Sequence, residues 1–215
     1  MPDKKNNYGF LLLLASAVFL VVGIIAATLY REGSYSQKDA RKFEQVLHKK
    51  ERLLKEEFRE LEGLFAGHSA TRVLDQKSAE YQDLANKKGI YIFYYSEGDL
   101  QYWSDHSVPL SGRWRARLNR PFISLRNTDY VSVMHPVDGG RLVGMIEIKT
   151  HYPVQNKFLI NGFQGDFKLD PAVKIEFFEA DASDPVYNDA GDYLFSLDFS
   201  AAAPRSAGLR VLAIC

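Results

Sequence analysis

The sequence predicts an α+β protein with an N-terminal transmembrane helix, a long amphipathic helix and then an antiparallel sheet domain. Three observations carry this prediction. Residues 9–30 form an uncharged apolar run; residues 36–65 turn abruptly to a charged composition with apolar side chains at helical spacing; and from Ile90 onward, short β-branched and aromatic runs alternate with turn signals.

The apolar run, GFLLLLASAVFLVVGIIAATLY, would reach roughly 33 Å as a helix, against ~30 Å for a hydrocarbon layer. A helix suits it because every backbone N–H and C=O is then satisfied internally. A cleaved secretory signal is the competing reading, with Ala26 and Ala27 imitating a cleavage site, although such signals have apolar cores of only about 7–15 residues. Lys4 and Lys5 precede the run, while Arg31 is balanced by Glu32. The cation bias predicts a cytoplasmic segment 1–8, a span 9–30 with the lipid bilayer as partner, and an extracytoplasmic remainder.

Residues 31–67 read as a membrane-proximal helix. Ser36 offers an N-cap and Gly63 with Gly67 a stop. Leu47, Leu54, Phe58, Leu61 and Phe65 form one apolar stripe. The heptad is imperfect, since Lys50 and Glu51 stand where a coiled coil places apolar residues. Such a helix suits packing partly on its own domain and partly on a second copy, which predicts a homodimer. The stripe is the expected path of signal transmission.

A second helix is expected over 70–88, ended by Gly89. Strands follow at 90–95 and 100–103 around the turn Ser96-Glu97-Gly98-Asp99, then at 130–134 and 141–148 around Asp138-Gly139-Gly140. The proline- and arginine-rich segment 108–127 reads as a loop with a short helix. Residues 153–163 read as another short helix, and 173–178 and 193–199 as two further strands. This order suits a PAS/Cache-like sensor domain over 68–207, with a small β-sandwich as the alternative. Residues 208–215 look like the start of a second transmembrane helix.

Composition narrows the function classes. Lys plus Arg equals Asp plus Glu at 27 each, so no net field favours nucleic acid. Cys215 is the lone cysteine, which excludes an internal disulfide. None of the five histidines has metal-ligand spacing, and neither a nucleophile elbow nor a phosphate loop is present. Ser104-Asp105-His106 sets three catalytic residue types side by side, but neighbours on an extended chain point to opposite faces. The expectation is therefore no catalytic set, no metal and no cofactor. A ligand pocket is expected from Tyr102, Trp103, Arg115 and Tyr130. The arginines around Trp114 suit an anion, although surface ion pairs are the more ordinary use of such residues.

Three segments give the chain a family resemblance. These are Leu100-Gln101-Tyr102-Trp103-Ser104-Asp105; Ile146-Glu147-Ile148-Lys149 with Tyr152 and Asn156-Lys157-Phe158-Leu159-Ile160-Asn161; and Asp189-Ala190-Gly191-Asp192-Tyr193-Leu194-Phe195-Ser196-Leu197. In this order they resemble the N-terminal input region of membrane-bound sensor histidine kinases of the Bacteroidetes type. The resemblance implies an inner-membrane protein with a periplasmic sensor for an unidentified small-molecule or protein ligand. It also implies a chain cut short before the kinase core, since no phosphoacceptor box and no ATP lid follow. The other expectation is a bitopic envelope scaffold dimerising through its span and charged helix.

Overall fold

The computed structural model describes residues 6–110, 119–157, 159–177 and 184–202, with only the helical backbone described over 6–11 and 25–36. A single helix, α1, covers Asn6–Phe65. Two short helices follow, α2 (Ala70–Gln76) and α3 (Ser78–Lys88). The strands are β1 (Ile90–Ser96), β2 (Asp99–Trp103), β3 (Phe122–Leu125), β4 (Thr128–Val137), β5 (Gly140–Thr150), β6 (Gly162–Phe163), β7 (Lys174–Glu176), β8 (Pro185–Tyr187) and β9 (Tyr193–Asp198).

The apolar run does not stand as an element of its own. It is continuous with the charged helix, so Ser36 lies inside α1 and caps nothing. Among the described residues no helix is long and apolar enough to cross a membrane, which corrects the expected N-terminal transmembrane helix over 9–30. The run is the opening stretch of one 60-residue helix that continues without a break into the charged residues from Arg31 onward. Its described side chains, over 12–24, are exposed, Phe19 at 79%. The expected second span over 208–215 lies outside the described residues.

The chain divides into two units, and Ala40–Ala203 forms the folded body. Its main sheet has the order β2-β1-β5-β4-β3, antiparallel throughout, with β6 paired to the end of β5. A second antiparallel sheet runs β7-β9-β8, where one sheet was expected. Strand alternation divides the main sheet into two apolar faces. Ile90, Ile92, Leu142, Ile146, Val131 and Val133 pack with the α1 stripe and with Val186, Phe195 and Leu197 of the second sheet. Tyr91, Phe93, Tyr95, Val143, Met145, Tyr130 and Ile123 form a separate cluster on the far face, beneath Val108 and Leu110.

The predicted hairpins are present: β1 turns into β2 through Glu97 and Gly98, and β4 into β5 through Asp138 and Gly139. Gly89 ends α3 in the left-handed conformation. Helix 70–88 is instead two helices. Lys77, at φ −91° and ψ 3°, breaks it while its ammonium reaches Glu57 at 2.5 Å and Glu60 at 3.0 Å. No helix forms among the described residues of 153–163. There Asn156 Oδ1 accepts from the Leu159 N–H at 2.9 Å, and Asn161 Oδ1 from the Tyr152 N–H at 2.5 Å. Such side-chain acceptors offer the backbone an alternative to helical bonds. The short strands β3, β6 and β8 borrow their ladders from longer neighbours and carry little local signal of their own.

Candidate functional site

The far face of the main sheet holds a partly buried polar cluster. A register shift between Asp129 and Tyr130 sets Tyr130 opposite Glu147. The Tyr91 hydroxyl, from β1, donates to Glu147 Oε2 at 2.7 Å, and the Tyr91 and Tyr130 rings meet edge-on at 6.0 Å. Ser107, from the segment after β2, also bonds to the Tyr91 hydroxyl. One strand further on, the buried Ser132 hydroxyl has no partner among the described residues.

Burial governs the electrostatics here. It pushes the Tyr130 hydroxyl up to about 12, with Glu147, Tyr152 and Asp105 adding to the effect and Thr128 opposing it. Burial also raises Tyr91, reinforced by the Glu147 carboxylate. Both phenols are therefore neutral donors at physiological pH. Nearby, Asp129 is raised by burial, against the opposing pull of the Ser124 hydroxyl, which donates to it, and of His151 at 3.6 Å. This Ser, Asp and His set is not ordered as a hydrolytic relay, because the serine hydroxyl donates directly to one aspartate oxygen while the histidine faces the other, so the histidine does not stand between them. Among the described residues no group of His, Cys, Asp or Glu could hold a metal ion. The cluster offers two neutral phenol hydroxyls and the Glu147 carboxylate as donors and acceptor.

Of the four expected pocket residues, the three that are described do not come together. Tyr130 lies in the far-face cluster. Tyr102 belongs to the opposite one, where its hydroxyl meets Ser78 Oγ at 3.2 Å and its ring meets Tyr81 at 6.4 Å. Trp103 is 40% exposed and its indole N–H donates to His106 at 2.9 Å. Arg115 lies outside the described residues. Tyr91 and Glu147 were missed because a tyrosine inside a continuous aromatic run and a glutamate inside an alternating strand read as ordinary sheet residues. A separate open cleft of about 350 Å³ lies between Ser69 to Thr71 and the β1–β2 hairpin, lined by Tyr94, Glu97 and Gln101, without a buried polar cluster.

Leu47, Leu54, Phe58 and Leu61 are fully buried and Phe65 is half-buried against Tyr94, at 5.6 Å between rings. The stripe thus faces its own sheet. Its closest approach is at Gly144 of β5, where a Cβ would lie 2.6 Å from Leu54 Cδ1 and 3.0 Å from Phe58 Cζ. The two residues that break the heptad are polar ties. Lys50, 4% exposed, donates to Asp166 at 2.8 Å, Gln164 at 3.0 Å and the Lys88 carbonyl. Burial lowers its pKa against the pull of Asp166, whose own carboxyl is raised by burial but held low overall by Lys50 and Lys88. Glu51 ties α1 to the second sheet.

The resembling motifs also map to structural pins. Ser104 Oγ accepts from the Ile92 N–H at 3.0 Å, Lys149 donates to the Val173 carbonyl and lies over the Phe163 ring, Asn161 closes the loop after β5, and Asp189 pairs with Lys55. No family model matches the chain, and neither a curated protein nor a solved structure is significantly similar to it.

Proposed function

We propose that the chain is the input module of a two-component sensor: the far face of the main sheet takes a small polar ligand, and α1 carries the response. The observation that supports this reading is the position of β5 between the two. Val143, Met145 and Glu147 point to the ligand face, while Gly144 and Ile146 meet α1 on the other. A ligand that displaces Tyr91 from Glu147 shifts a strand on which Leu54 and Phe58 rest with no slack. Packed interiors pass such shifts on because they do not deform continuously. The ligand must bind the two arrangements unequally, since equal affinity moves no equilibrium.

The test is a thermal-shift screen of small polar metabolites on the full chain, followed by calorimetry of the best hit. Glu147→Gln is expected to fold and to lose about 1.5–3 kcal/mol of binding energy, the worth of a hydrogen bond to a charged group. Undiminished binding by that variant, or a panel with no hit, contradicts the site.

A further inference from the structure

One stretch of α1 is fastened to the second sheet by a polar seam. Four side chains at i, i+4, i+7 and i+11 take part. Glu44 Oε1 accepts from the Tyr187 N–H at 3.0 Å, and His48 Nε2 donates to the Tyr187 carbonyl at 2.9 Å. Glu51 Oε2 accepts from the Asp189 N–H at 2.9 Å, and Lys55 Nζ grips the two Asp189 carboxylate oxygens at 2.5 and 2.7 Å. β8 is an edge of its sheet, so helix side chains here occupy backbone groups that another strand would otherwise take.

Glu51 is the misfit in this seam. It is 2% exposed and sits beside a second carboxylate, Asp189, whose own counter-charge is the exposed Lys55. Burial first and Asp189 second push Glu51 from 4.5 to about 7, against the opposing pull of the Asp189 N–H, His48 and Lys55. The charged and titratable groups facing it are Glu44, His48 and Lys55 from α1 and Asp189 from the β8–β9 corner.

We propose that the seam is a proton-operated latch, in which the β8–β9 corner is held to α1 while Glu51 is neutral and released when Glu51 ionises. A neutral carboxyl still accepts the Asp189 N–H through its carbonyl oxygen. An ionised one must either stay dry next to Asp189 or open the corner to water. The folded value lies above the unfolded one, so the stabilisation is whole below pH about 4.5 and declines as pH rises through about 7. The latch is a second input, independent of the far-face ligand.

The test is amide hydrogen exchange at Asp189 and Tyr187 in the full chain between pH 6 and pH 8, corrected for the intrinsic base-catalysed rate. Opening is expected to rise about tenfold across that interval in the wild type. In Glu51→Gln it is expected to stay flat, and in His48→Gln to keep the rise. A flat wild-type profile overturns the latch. So does a rise that survives in Glu51→Gln but vanishes in His48→Gln, which would make the histidine the proton acceptor.

Discussion

Three glycines near the β4–β5 hairpin have different physical reasons to be glycine. Gly139 has φ +73° and open space around the position of a Cβ, so Gly139→Ala bears a backbone cost alone, about 1–2 kcal/mol. At Gly140 a Cβ would lie 2.2 Å from the Tyr95 carbonyl oxygen, which is backbone and cannot swing aside. At Gly144 it would press on Leu54 and Phe58, for an overpacking cost of about 1–3 kcal/mol. Urea unfolding is expected to rank Gly140→Ala as the most damaging of the three. Equal losses would mean that the close approaches at Gly140 and Gly144 cost no more than the turn conformation does at Gly139. The hairpin glycines were legible from Asp138-Gly139-Gly140. Gly144 was not, because nothing local in an alternating strand announces a helix lying across it. Lys50 and Glu51 were visible as faults in the heptad, but their partners Asp166 and Asp189 lie more than a hundred residues away.

At the scale of elements, α1 was legible as a helix with one apolar stripe, and the destination of that stripe was left open between its own domain and a second copy. The sheet takes it. We propose that two copies pair through α1, where the exposed row of Gln45, Lys49, Arg52, Glu56 and Arg59 is left uncovered by the sheet. In a Cys215→Ser background, single cysteines at Gln45, Arg52 and Arg59 are expected to cross-link between copies, and cysteines at Leu47 and Leu54 are not. Cross-linking through Leu47 or Leu54 would mean that α1 leaves its sheet when copies associate. The strands with strong β-branched or aromatic alternation, β1, β4, β5 and β9, were found close to their bounds. The expected helix over 153–163 fails because Asn156 and Asn161 spend their side chains on the backbone, a competition that spacing of apolar residues does not reveal.

At the scale of the whole molecule, the far-face cluster and α1 lie on opposite sides of one antiparallel sheet. Composition and motif order pointed to helices feeding an α+β body, and that much stands. The membrane-crossing helix does not, because a run that reads as a separate element is the first third of one longer helix whose remainder is rich in charge. Of the expected pocket residues that are described, Tyr130 alone sits in the far-face cluster, whose other members come from β1 and β5 through register, and register is set by pairing between strands rather than by either strand alone. In the proposed function these two sides are mechanically joined through β5. Hydrogen-exchange mass spectrometry on the full chain, with and without the metabolite that most raises its thermal midpoint, reads that coupling. Altered exchange is predicted both in β1 and β5 and in α1 residues 51–61. Protection confined to the strands, with α1 unchanged, would contradict it.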